Sequence, residues 1–266
     1  MSARPNPLPR FYRWRTNVLQ SPVFALWTAA CGMTALAVSL VDKKGRVQHG
    51  IARRWARGAV RISLSRLTVE GKENLSKHRV AVYAPNHTSY MDIPVVFAAL
   101  PFQFRILAKK ELWQWPFIGW YLERSGQMPI NIENPHATLA SLGGAVKTLR
   151  GGMPLVVFPE GGRTSDGELR PFLSGAAYLA IRAQVPLVPI ALKGVYDLLP
   201  IHTHHFYPGE LTVQVGSPIE TKGMTVRQNG ELTERLREAI EEMMGKNAEL
   251  VFTEESALAH DGDGPL

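Results

Sequence analysis

The chain has 266 residues, 45% of them hydrophobic, a formal net charge of +7 and a single cysteine. That length and composition suit one substantial core; one cysteine excludes an intrachain disulfide and points to a reducing compartment. The positive charge suits an anionic surface or an acidic partner, and no nucleic-acid-binding motif accompanies it, so a nucleic-acid partner is not expected.

In chain order, the first predicted element is Pro22 to Val41, an uncharged run of about twenty residues, the length that crosses a hydrocarbon core. Thr28, Gly32, Thr34 and Ser39 interrupt it, and no small-residue cleavage site is evident, so it reads poorly as a signal peptide. Basic residues stand on both sides, Arg10, Arg13 and Arg15 before it and Lys43, Lys44 and Arg46 after it. The positive-inside bias therefore selects no orientation, and a helix that dips into one leaflet and returns would keep both ends on one side. Residues 47–67 supply the returning partner. There Ile51, Trp55, Ala56, Ala59 and Val60 fall at helical spacing against Arg53, Arg54, Arg57 and Arg61. Such a basic amphipathic helix suits an anionic lipid surface, and some of its apolar residues equally suit packing on the domain that follows; the two readings can coexist.

Strand-like runs come next at 67–70, 79–84, 104–108, 128–131, 154–158, 187–192 and 211–215, alternating with helical stretches near 90–100, 136–150 and 174–184. The order implies an α/β fold, a mixed sheet flanked by helices, with the site where strand ends feed loops. Glu231 to Met244 reads as an amphipathic helix with Leu232, Leu236, Ile240 and Met243 inward. The expected organisation is an N-terminal membrane-associated two-helix segment over 1–66, one domain over 67–252 and a disordered tail over 253–266. His202, His204 and His205 lie in a loop without an acidic or cysteine partner, so no metal site is expected there or elsewhere, and no cofactor.

The chemistry sits in Asn86-His-Thr-Ser-Tyr-Met-Asp92. A neutral imidazole takes a proton at physiological pH when a carboxylate holds its other nitrogen protonated and aimed. With Ser89 as helix cap and Asp92 three residues on, a capping box would begin the helix and put His87 within reach of Asp92. No serine or cysteine nucleophile is signalled beside the pair, so the attacking hydroxyl belongs to a substrate. Asn86-His-Thr88 is formally a glycosylation sequon, read here as chance.

Three further blocks follow: Ala108-Lys-Lys-Glu-Leu112 leading to Trp115-Pro-Phe-Ile-Gly119, then Phe158-Pro-Glu-Gly-Gly-Arg-Thr164 after an apolar strand, then Val185-Pro-Leu-Val-Pro-Ile190. Glycines at 161 and 162 allow a tight turn and close approach to a ligand, and Arg163 offers a planar fork of donors suited to phosphate. Lys109 and Lys110 would add point charges. With the His-Asp block, the set resembles the glycerolipid acyltransferase family, best known for the 1-acylglycerol-3-phosphate acyltransferases, over about residues 45 to 220. The resemblance implies His87 as catalytic base, Asp92 as its carboxylate, and Glu160, Gly161 and Arg163, with Thr164 beside them, at the acceptor. Family members often carry an arginine shortly after the second block; here that position is Ile132.

The expected activity is transfer of a fatty acyl group from acyl-carrier protein or acyl-CoA to the hydroxyl of 1-acylglycerol-3-phosphate, giving phosphatidic acid. The lysophospholipid acceptor would be met at a membrane lipid surface, with the catalytic domain facing the cytoplasm. Two rivals stand beside it: an acyltransferase for another lysolipid or amino-lipid acceptor, and a non-catalytic basic membrane-binding protein.

Overall fold

The structure, a computed structural model, describes residues 10–77, 79–131, 135–201 and 203–245. In chain order it forms α1 (Arg10–Arg15), a π-helical turn (Thr16–Gln20), α2 (Ser21–Val38), α3 (Arg46–Ile62), β1 (Arg66–Glu70), α4 (Lys72–Lys77), β2 (Val82–Pro85), α5 (Asp92–Ala99), β3 (Arg105–Lys109), a 3-10 turn (Lys110–Gln114), α6 (Ile118–Arg124), β4 (Met128–Ile130), α7 (Pro135–Arg150), β5 (Leu155–Val156), α8 (Gly175–Ala183), β6 (Leu187–Lys193), α9 (Val195–Leu198), β7 (Glu210–Val215) and α10 (Asn229–Met243).

The seven strands form one sheet in the order β1-β7-β6-β2-β5-β3-β4. From β6 to β4 every pairing is parallel; β7 runs antiparallel to β6, and β1 runs parallel to β7. The expected mixed sheet flanked by helices is therefore present. All seven anticipated strands appear, the fifth shortened to two residues although Val157 N–H still donates to the Tyr83 carbonyl. Helices α4, α6 and α9 were not legible: two are short, and Pro116 and Gly119 disguise the start of α6.

Successive residues of the central strands feed two cores, as the pleat requires. Tyr83 of β2 and Val156 of β5 join α5 and α3 on one face. Val82, Ala84, Leu155 and Val157 join α7, α8 and α10 on the other. Leu232, Leu236 and Ile240 are the buried apolar stripe of α10, as their spacing predicts.

Helix α3 packs its apolar side inward and leaves its arginines outside. Ile51, Ala52, Ala56, Ala59 and Val60 are buried, and the last four belong to the same core as α5 and the sheet. Its apolar side is thus taken by the domain, while Arg54, Arg57 and Arg61 face outward. The buried side of α3 is thus part of the domain core, whereas α2 keeps an apolar surface in the open. Leu26 and Met33 are 72% and 67% exposed there. The helix over Arg13–Val38 is long and apolar enough to cross a membrane by length and composition, at a mean hydropathy of 1.5. The expected tail at 253–266 lies outside the described residues.

Candidate active site

Strand β2 leaves the sheet toward α5 on one face, and its neighbour β5 leaves toward α8 on the other. A crevice opens where adjacent parallel strands diverge in this way, and ligands bind outside the carboxyl ends of such strands. The loops that line it are the two chemistry-bearing blocks, residues 86–92 after β2 and 158–164 after β5.

Asn86 anchors the first loop. Fully buried, its side chain accepts from Leu192 N–H at 2.6 Å and donates to the Leu192 carbonyl at 3.3 Å, extending the β2–β6 ladder by one residue through an amide. A glycan has no room at this nitrogen. His87 then turns its ring onto Phe158, with centroids 4.1 Å apart and planes inclined at 30°. Its Nδ1 lies 2.7 Å from Asp92 Oδ2. The Asp92 side chain is wholly buried, and that of His87 is 12% exposed.

Asp92 and His87 thus meet as expected, with the reach-back half of the expected capping box in place and the Ser89 half differently used. Ser89 does not cap the helix: α5 begins at Asp92, and the Ser89 hydroxyl donates to the Leu199 carbonyl at 2.7 Å while accepting from Met91 N–H. Asp92 Oδ2 itself gathers the N–H groups of Thr88 and Ser89 at 2.7 and 2.8 Å. One carboxylate oxygen therefore folds the loop and fixes the ring together. A carboxylate at Nδ1 makes that nitrogen the proton donor and leaves Nε2 as the base. Among the described residues Nε2 has no hydrogen-bond partner, and no serine or cysteine bonds to the ring.

Glu160 has a task the sequence did not reveal. It is 5% exposed, and both oxygens are committed to backbone: Oε1 accepts from His87 N–H at 2.7 Å and Oε2 from Arg170 N–H at 2.9 Å. Burial pushes its carboxyl up to about 7, opposed by those two N–H donors and reinforced by the nearby Asp92 charge. Glu160 thus ties the second loop to the first, a role additional to the one expected of it at the acceptor.

Gly161 has φ +66°, a conformation in which L side chains are strained, and lets the chain reverse straight after the strand. Thr164 is 3% exposed, and its hydroxyl accepts from Gly167 N–H at 3.1 Å, closing the next turn. Arg163 donates from Nε to the Ser89 carbonyl at 3.3 Å and lies 4.4 Å above the Tyr90 ring, so the loop holds its guanidinium beside the His-Asp motif. Tyr90 carried no sequence signal. Lys109 and Lys110 are exposed at the end of β3, on the same edge of the sheet. Ile132 and His202 lie outside the described residues, and among the described residues no three ligating side chains gather as a metal site. A groove of about 520 Å³ opens beside Tyr90, lined also by Ser21, Phe24, Leu199, His204 and Phe206.

Comparison with known proteins agrees with this architecture. A family model described as Acyltransferase matches residues 66–193. A chloroplastic 1-acyl-sn-glycerol-3-phosphate acyltransferase of Brassica napus is 30% identical over 185 residues, 68% of this chain and 53% of the relative. The Saccharomyces cerevisiae 1-acyl-sn-glycerol-3-phosphate acyltransferase is 29% identical over 227 residues, covering 83% of this chain and 75% of that one. The chain spans about half the length of the first of these. The crystal structure of the 1-acyl-sn-glycerophosphate acyltransferase PlsC from Thermotoga maritima shares the fold, with a TM-score of 0.73 at 24% identity over 89% of this chain and 98% of that one. The matched stretch contains both loops of the crevice, and the chain belongs to the acyltransferase family.

Proposed function

We propose that this chain transfers a fatty acyl group from a thioester, carried on acyl-carrier protein or coenzyme A, to the hydroxyl of 1-acylglycerol-3-phosphate, giving phosphatidic acid. The observation that carries the reading is the His87–Asp92 pair, with Nδ1 committed at 2.7 Å and Nε2 without a partner among the described residues. The acceptor hydroxyl gives its proton to Nε2 as its oxygen attacks the thioester carbonyl. Asp92 stabilises the imidazolium. When the intermediate collapses, the C–S bond breaks, the new ester forms, and the imidazolium returns the proton to the departing thiolate. No covalent acyl-enzyme is needed. Arg163 supplies the phosphate contact, with Gly161 in the same turn and Lys109 or Lys110 as further charges. Tyr90 below the guanidinium favours one orientation of its donors.

Membrane seating is part of the proposal, with the domain on the reducing, cytoplasmic side. Support comes from the packing of α2. Gln20 Nε2 donates to the Ile62 carbonyl, Trp27 Nε1 to Trp55 and Gln48 Nε2 to Ala35, so α2 is held along α3 for most of its length. With α3 bound to the domain, a transverse span of α2 would carry Arg54, Arg57 and Arg61 into hydrocarbon, which is expensive. An α2 lying in the interface avoids that cost.

The runner-up, another lysolipid or amino-lipid acceptor, rests on Ile132, the position at which the family resemblance implies an arginine. The test compares lysophosphatidate with a neutral acceptor of equal chain length, each with wild type and Arg163→Ala. The proposal expects wild type to prefer the phosphate, and the substitution to lower kcat/KM for lysophosphatidate about tenfold or more while sparing the neutral acceptor. Equal loss for both would make Arg163 structural and favour the runner-up.

A further inference from the structure

The second block of the sequence leaves an observation that the reaction does not use. Between the 3-10 turn and α6, the run Trp113-Gln-Trp-Pro-Phe-Ile-Gly-Trp120 puts four large apolar side chains in the open: Trp115 is 57% exposed, Phe117 67%, Ile118 45% and Trp120 57%. Soluble surfaces rarely cluster such residues without a partner.

The turn is built rather than slack. Phe117 sits at φ +63°, a strained value for a side-chain-bearing residue, and its ring meets Trp120 edge-on at 5.3 Å. A Cβ at Gly119 would lie 2.1 Å from the Trp113 carbonyl oxygen, so the chain closes tightly there. Trp113 is pinned by a 3.0 Å bond from its Nε1 to Glu123 Oε2.

Its place in the fold says what covers it. β3 delivers the chain to the carboxyl edge of the parallel strands, where the crevice lies, so the turn stands at that edge. α6 then runs back from the edge against α2, and Arg124 at its end donates to Ser39 Oγ at the end of α2. α2 likewise starts at the edge, where Ser21 and Phe24 line the groove beside Tyr90. We infer that the turn over residues 113–120 is a second membrane contact, entering the lipid interface beside α2 so that the crevice edge opens at the bilayer surface. Tryptophan is the residue suited to that depth, with an apolar body and a polar N–H. Lys109 and Lys110, exposed just before the turn, stand ready for anionic headgroups. An acidic protein partner would meet those two lysines, but would leave four large apolar groups without matching chemistry.

This inference rests on the reading of α2 as seated in the membrane, and one experiment separates the two. A polarity-sensitive fluorophore is attached to native Cys31 in α2, or to Trp115→Cys or Glu234→Cys in a Cys31→Ser background. Glu234 is exposed on α10, across the sheet. Each full-length protein is mixed with phosphatidylcholine–phosphatidylglycerol vesicles carrying brominated acyl chains. The expected result is quenching at 31 and at 115 but not at 234. The triple variant Trp115→Ser/Phe117→Ser/Trp120→Ser, all exposed positions, should then partition into vesicles roughly tenfold less well, from the apolar area it no longer buries. Quenching at 31 without quenching at 115 overturns the proposal and leaves the α2 reading standing. Absence at both overturns the two together.

Discussion

His87, Asp92 and Glu160 form a chain of dependence at the residue scale. Asp92 holds the ring, and Glu160 holds the backbone from which the ring hangs. Asp92→Asn should cut kcat by about two to four orders of magnitude, because a neutral amide cannot stabilise the imidazolium. Circular dichroism should show the fold intact. Glu160→Gln tests the second link. Its amide places an NH₂ against one of two backbone N–H groups, at a cost of about 1–3 kcal/mol in a buried site. The expected signature is a fall in kcat with the acceptor KM nearly unchanged; a selective rise in acceptor KM would put Glu160 at the acceptor as well. The sequence disclosed His87 and Asp92 because a five-residue spacing is local. Glu160 pairs with a backbone group 73 residues away, and the stacking of Phe158 on His87 is equally remote, so neither has a local signature.

Among elements, the junction of α3 and α5 carries a pH-dependent term. His49 is 5% exposed between Phe97 and Phe104, with Nε2 3.0 Å from the Phe102 carbonyl. Burial, with help from Arg105 and Arg53, outweighs that bond and lowers its pKa to about 4. A histidine depressed in the folded state stabilises the protein above its unfolded pKa, near 6.5, and that contribution is lost as pH falls through about 4. Urea unfolding of wild type should therefore lose up to ~3 kcal/mol from this group between those limits, and His49→Leu should flatten the difference. An unchanged slope would mean that the imidazole is solvated. The α2–α3 pair makes a further prediction. Cysteines at Arg13 and Arg46, in a Cys31→Ser background, should react with an impermeant reagent from the same side of a vesicle; reaction from opposite sides would restore a full span. Periodicity announced α3, yet which partner its apolar face takes was decided by α5, tens of residues further on. The aromatic turn before α6 belongs to a sequence motif, and only its exposure gives it a further meaning.

The whole molecule joins a parallel-sheet crevice to an apolar helix that lies along its side. Strand order could not be read from the sequence: β5 inserts between β2 and β3, and this insertion brings the Phe158–Thr164 block against the His-Asp block. Alternation of strands and helices did give the fold class, since each buried strand and its crossover leave distinct periods. In the proposed reaction His87 activates a substrate hydroxyl without an acyl-enzyme. The most direct test incubates wild type and His87→Ala with a labelled acyl thioester and lysophosphatidate in vesicles, following labelled phosphatidate and protein-bound label together. Wild type should form phosphatidate with no label on the protein, and His87→Ala should be slower by about two to four orders of magnitude while remaining folded. Near-normal turnover by His87→Ala, or label chased from the protein into the lipid, would contradict it.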